Sequence, residues 1–140
     1  MPELNLETAR AMTDAAFKHA RANNWIISVV VLDAGGHLVH ACRMDGCNFL
    51  APDIARGKAM GAAAWKEPSD NFAKRLADNP AWAAGMIAAS GGRFVPIRGA
   101  LPIWSGGRCV GAIGASGVRA NQDEECCRAG LTAAGFTEAP

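Results

Sequence analysis

The sequence predicts an α/β protein of the α+β kind, with one five-stranded, mostly antiparallel sheet packed by helices. Three observations predict it. A β-branched run, Trp25–Leu32, meets a second extended run, His37–Arg43, across the turn Asp33-Ala34-Gly35-Gly36. Three further extended segments, Arg93–Ile97, about Ala100–Trp104 and Arg108–Ser116, are separated only by Arg98-Gly99 and Ser105-Gly106-Gly107, which are turn sequences. Apolar residues at helical spacing flank both groups. Short turns between successive strands imply antiparallel neighbours. The expected order is α-β-β-α-α-β-β-β-α, with room for a third helix in the middle. No repeat, low-complexity tract or linker divides the 140 residues, so a single domain is expected.

The first helix runs from Asn5 to about Asn23, with Asn5 as N-cap and Leu6, Ala9, Met12 and Ala16 forming an apolar stripe. Trp25–Leu32 is too short and too β-branched to prefer a helix. Paired glycines in the following turn take positive φ at no steric cost. Pro52 and Asp53 open a second helix to about Trp65, since Pro at the first turn loses no needed hydrogen bond and an acid suits the positive end of the dipole. Ser69 caps a short segment carrying Phe72 and Leu76. Asn79-Pro80 starts another through Trp82, Met86 and Ile87, which Ser90-Gly91-Gly92 stops. The final helix is expected from Gln122 to about Ala134, with Asn121 as N-cap, Glu124 at the capping-box position and Gly135 as the stop.

Composition narrows the function classes. Half the residues are hydrophobic, mean hydropathy is near zero and the chain is long enough to bury a core. Net charge is only +1, without the basic stripe of a nucleic-acid binder. No apolar run is long enough to span a bilayer, and the N-terminus leads directly into a polar helix, so a cytoplasmic protein is expected. Five cysteines, Cys42, Cys47, Cys109, Cys126 and Cys127, form no CxxC pair and read as reduced thiols. Neither cysteines nor histidines cluster at zinc-ligand spacing, so no metal site is expected.

Three stretches in register carry a resemblance. They are Val31-Leu32-Asp33-Ala34-Gly35-Gly36-His37-Leu38-Val39 with Arg43-Met44-Asp45-Gly46; Ala55, Lys58 and Ala59 leading to Pro68-Ser69; and Leu101-Pro102-Ile103 with Gly111-Ala112-Ile113-Gly114-Ala115-Ser116-Gly117 and Gln122-Asp123-Glu124. Together they resemble the GlcG/HbpS-like, haem-degrading family, which also occurs as the C-terminal domain of some corrinoid adenosyltransferases. The resemblance implies a profilin-like fold, oligomers from dimers to octamers, and haem binding in some members. The chain departs from it at Gly99-Ala100, where relatives often carry two glycines, and at Cys47, where alanine is commoner.

Residue chemistry suggests where a ligand sits. Gly114-Ala115-Ser116-Gly117 ends a strand before a helix start, so its amides suit a carboxylate, with the Ser116 hydroxyl beside them. The alternative is that these glycines serve only packing and a turn. The P-loop lysine and the dinucleotide glycine spacing are both absent. His37 and His40 have opposite strand parity and cannot readily share one metal. Either of them, or His19, is a candidate axial ligand to haem iron. Asp33, Arg43 and Asp45 cluster around the hairpin: Arg43 as a carboxylate clamp or a surface ion pair, Asp33 as a general base or a turn residue. Lys58 is either a pocket cation or part of a solvated face. Trp65 and Trp82 line a groove or an interface.

Two functions follow. The first is a binding protein, expected to be a homo-oligomer, that holds haem or another planar, carboxylate-bearing and hence anionic small molecule, with no nucleic-acid or membrane partner. The alternative is a cofactor-free isomerase, hydrolase or lyase acting on a small organic acid. There Arg43 orients the acid, and Asp33, His37 or a cysteine transfers the proton or attacks. No nucleophile elbow or triad supports the second.

Overall fold

The computed structural model describes residues 1–140. In chain order the elements are α1 (Leu6–Ala22), β1 (Ser28–Asp33), β2 (Leu38–Arg43), α2 (Ala51–Trp65), α3 (Asp70–Asp78), α4 (Pro80–Ala89), β3 (Ala100–Ser105), β4 (Arg108–Ser116) and α5 (Ala120–Ala133). The sheet has four strands in the order β2-β1-β4-β3, every neighbouring pair antiparallel. No helix is long and apolar enough to cross a membrane.

The expected fifth strand is absent, so the observed order is α-β-β-α-α-α-β-β-α. Arg93–Ile97 is an extended strap whose backbone bonds to a helix rather than to a strand: Val95 N–H donates to the Gly57 carbonyl in α2 at 3.2 Å. Pro96 has no N–H to give a ladder. Two helices, α3 and α4, fill the middle of the chain, joined at Asn79. Its side chain accepts from Trp82 N–H at 3.2 Å, while Pro80 takes the first helical position.

Asn5 caps α1 as expected, and Thr8 reciprocates by accepting from Asn5 N–H. The start of α5 differs. Arg119, not Asn121, is the capping position, and Gln122 Oε1 accepts from Arg119 N–H at 3.2 Å. Glu124 is drawn away from capping by Arg98 and Arg128, at 2.9 and 3.1 Å.

Side-chain alternation along the sheet builds two cores. Val29 and Val31 of β1, with Ile113 and Ala115 of β4 and Leu101 and Ile103 of β3, face Met12, Ala16, Cys126, Cys127 and Leu131 of α1 and α5. Val30, Leu32 and Ala112 face Ala55, Ala59 and Ala62 of α2. β1 is buried on both faces, which is why its sequence is a continuous apolar run instead of an alternating one. The small residues of α2 let it lie close on the sheet. At Gly114 a Cβ would stand 2.2 Å from the Ala55 carbonyl oxygen, so only glycine permits this approach.

Candidate functional site

The solvent side of α2 carries a divided cleft. Gly57 and Gly61, four residues apart, present a flat strip on which the strap rests. A Cβ at Gly57 would meet the Arg93 carbonyl oxygen and Val95 Cγ2 at 2.4 Å, and one at Gly61 would meet the Phe94 ring at 2.5 Å. Phe94 is held in turn by Trp65, Phe72 and Trp82, with ring centroids 5.2, 5.7 and 6.1 Å away. Trp65 and Trp82 thus anchor the strap within the same chain.

Fixing the strap places Arg93 beside Arg56 of α2. These two arginines line both lobes of the cleft. One lobe, of about 380 Å³, opens between α2 and the hairpin turn, with His37, Leu38, Met60 and Ala64 on its walls. The other, of about 400 Å³, lies under the strap against Leu50, Ile54 and Val95, with Asp53 at its edge. Arg93 Nε donates to the Ser90 carbonyl at 2.9 Å, and Arg56 Nε is buried with no hydrogen-bond partner. Neither arginine takes part in any of the ion pairs of the chain. Two guanidiniums side by side with no acid partner leave the cleft positively charged, which suits an anion.

Asp33 and His37 meet at the edge of the first lobe. Asp33 Oδ1 accepts from Gly35 N–H and His37 N–H at 2.9 Å each and lies 3.2 Å from His37 Nδ1. Burial opposes ionisation of this carboxyl, but the two backbone N–H groups and the His37 ring outweigh it and hold it below its ordinary value. The bond at Nδ1 orients the ring and leaves Nε2 available, the arrangement that carboxylate-held histidines use to ligate metals.

The other residues singled out in the sequence lie elsewhere. Arg43 is at the far end of β2, where its Nη1 donates to the Cys47 carbonyl at 3.0 Å. Ser28 pairs with Arg43 on one side and Ser116 on the other, so Arg43 does join the Gly114–Gly117 end of the sheet, whereas Asp33 pairs with Gly111. At that end the close approaches are occupied by protein: Gly114 by α2, Gly117 by the Ile26 carbonyl, 2.4 Å from where a Cβ would stand, and the Ser116 carbonyl by Cys47 Sγ at 3.9 Å.

His40 faces α1 and sits 3.1 Å from Thr13 Oγ1, on the opposite side of the sheet from the cleft. His19 bonds Glu125 at 2.6 Å and stands edge-on to Trp25. Lys58 is neither in the cleft nor on a solvated face. It is buried, donating to the Ala115 carbonyl at 3.0 Å and to Asp123 at 3.1 Å. Burial raises the Asp123 carboxyl above its ordinary value despite Lys58. Burial likewise pushes the Cys126 thiol up to about 12 and Cys127 upward, which leaves both unreactive.

Nothing in the sequence pattern marks Arg56 or Arg93 as a site residue. The available signal was the Gly57/Gly61 pair, which marks a close approach along α2. The largest concavity, about 710 Å³ between Met1–Leu4 and the two hairpin turns, is lined by Glu3, Asp33 and Arg108 and so has no positive excess to draw an anion.

Residues 4–132 match the family described as haem degrading protein HbpS-like. Protein GlcG of Escherichia coli (strain K12) is 30% identical over 114 residues, 81% of each chain. Among solved structures, the HbpS crystal structure superposes with a TM-score of 0.81 at 29% identity, covering 94% of this chain and 90% of that one. The PduOC:heme complex superposes with a TM-score of 0.88 at 22% identity, covering 99% and 100%. At that identity the latter likeness speaks for the fold.

Proposed function

Since the chain belongs to the HbpS-like haem-degrading family, we propose that it binds haem or another planar, carboxylate-bearing molecule in the lobe between α2 and the hairpin turn. One observation carries this reading: Arg56 and Arg93, neither in an ion pair, share that lobe with His37, whose Nδ1 is held by Asp33. Guanidiniums suit carboxylates, Leu38 and Met60 offer apolar contact to a ring face, and Nε2 of His37 is a nitrogen donor for iron. This donor set matches haem's iron and carboxylates, with the lobe holding one edge of the ring. Haem, once bound, would supply an iron for His37 to ligate and two carboxylates for Arg56 and Arg93.

The five free thiols support a reduced, cytoplasmic setting. Phe49, 83% exposed, and Leu50 beside it support self-association. Light scattering that shows a monomer at micromolar concentration removes that part of the proposal.

Hemin titration followed by Soret absorbance tests the binding site. The expected result is a shifted Soret band that loses its histidine-ligated form in His37→Ala and saturates at higher hemin in Arg56→Gln and Arg93→Gln. No shift in the intact protein overturns the proposal. A shift abolished by His19→Ala or His40→Ala but untouched by His37→Ala places the site on the α1 side of the sheet and overturns this location.

A further inference from the structure

The second lobe of the cleft has a different chemistry from the first. Its walls are Leu50, Ile54 and Val95, and it contains no histidine. Its charged groups are Arg56, Arg93 and Asp53, which sum to +1 (two guanidiniums less one carboxylate). None of the three makes an ion pair within 4.0 Å. The strap roofs this lobe, and the roof is fixed, because Gly57 lets Val95 sit directly on α2 and bond to its backbone.

We propose that this lobe is a binding site for a small monocarboxylic acid with an apolar body, its carboxylate held by Arg56 and Arg93 and its body against Leu50, Ile54 and Val95. The net charge matches a single carboxylate; a dianion such as phosphate would face Asp53 with no further donor to compensate. The lobe's apolar walls contribute through burial of that body. Arg56 and Arg93 both line the lobe and neither is engaged by an acid of the chain, so their guanidiniums are free to take the carboxylate.

The arginines also line the lobe assigned to haem, so the inference shares them with that reading but does not depend on His37. The shared guanidiniums have a consequence. A guanidinium held by a carboxylate in one lobe is unavailable to a carboxylate in the other, so the two ligands oppose each other, and by linkage the effect is reciprocal. The acid then acts as a competitor that sets how much of the larger ligand the protein holds.

Benzoate is the probe, with benzamide as its uncharged counterpart, followed by isothermal titration calorimetry on the full chain. The expected result is benzoate binding that weakens about tenfold or more in Arg56→Gln and Arg93→Gln, with benzamide at least about tenfold weaker than benzoate, the loss of one charge-assisted pair. Leu50→Asp puts an acid at the lobe's mouth. Leu50 is exposed and an acid there faces the positive end of the α2 dipole, so this variant is expected to keep the fold while also weakening benzoate. Saturating benzoate is expected to raise the hemin concentration needed for half-saturation several-fold.

Absence of benzoate binding at about 10 mM, well above the ordinary range for such pairs, overturns the inference. So does equal binding of benzamide, or benzoate binding unaffected by all three substitutions. Hemin uptake is read in parallel. Benzoate lost with hemin uptake intact overturns this inference alone, and the converse overturns the haem reading alone.

Discussion

Lys58 Nζ lies 3.1 Å from Asp123 Oδ2, with the two side chains only 3% and 2% exposed. The pair ties α2 to the start of α5, and the same ammonium reaches the Ala115 carbonyl on β4. Asp123 in turn accepts from Val118 N–H, which shapes the turn into α5. Lysine here fastens three elements together. Lys58→Met is expected to cost about 3–5 kcal/mol, because it strands a buried carboxylate, and Lys58→Met with Asp123→Leu should recover part of that loss. Urea unfolding of the three proteins measures it. Small destabilisation with lost hemin uptake would instead make Lys58 a ligand contact.

Two glycines in different helices, α2 and α4, should respond in opposite directions. Gly57→Ala drives a Cβ into the Arg93 carbonyl and Val95, lifting the strap, and is expected to cost about 1–3 kcal/mol as overpacking does. It should also displace Arg93 and weaken benzoate. At Gly85, inside α4, nothing lies within 4 Å of the added Cβ. Gly85→Ala should therefore stabilise by about 0.5–1 kcal/mol, the ordinary gain of alanine over glycine in a helix. Equal effects at the two sites would show that the strap is not seated on α2.

Local chemistry explains what the sequence revealed. Asn5, Asn79-Pro80 and the Asp33–Gly36 turn each contain their own instruction, and β4 runs from Arg108 to Ser116 as expected. Arg93–Ile97 misled because an extended, β-prone segment looks alike whether its partner is a strand or a helix. Only Gly57 and Gly61, far away in sequence, show that it lies on α2. Lys58 reads from the sequence as a pocket cation or a solvated one, and not as a buried tie, because its acid partner is 65 residues away. Arg56 and Arg93 were hidden for a related reason: what distinguishes them is a partner they lack, which is a property of three-dimensional surroundings and not of spacing.

Glu124 gives a pH dependence. Burial opposes its ionisation, but hydrogen bonds from Arg98 and Arg128 outweigh that and hold the carboxyl below its ordinary value of 4.5. A lowered folded-state value means that its contribution is complete above about pH 4.5 and is lost as pH falls through the folded-state value. Glu124→Gln should therefore cost about 1 kcal/mol near neutrality, since both arginines are partly solvated. The gap between intact and variant proteins should close as pH drops below that window. A gap that stays constant in urea titrations down to acid pH would show that the charge contributes nothing.

Asp33 serves two ends at once, and substitution can separate them. As a turn residue its Oδ1 accepts from Gly35 and His37 N–H groups, a task that asparagine performs nearly as well. As the partner of His37 Nδ1 it provides charge, which asparagine does not. Asp33→Asn should cost a little thermal stability near neutral pH, less than Asp33→Ala, and alter the Soret band of the hemin complex, because a neutral partner makes His37 a weaker iron donor. Asp33→Ala should lose both the turn and the orientation of the ring. If the Asn variant has the same Soret band and the same hemin affinity as the intact protein, Asp33 acts only in the turn, and His37 holds its place in the cleft without help from the carboxylate.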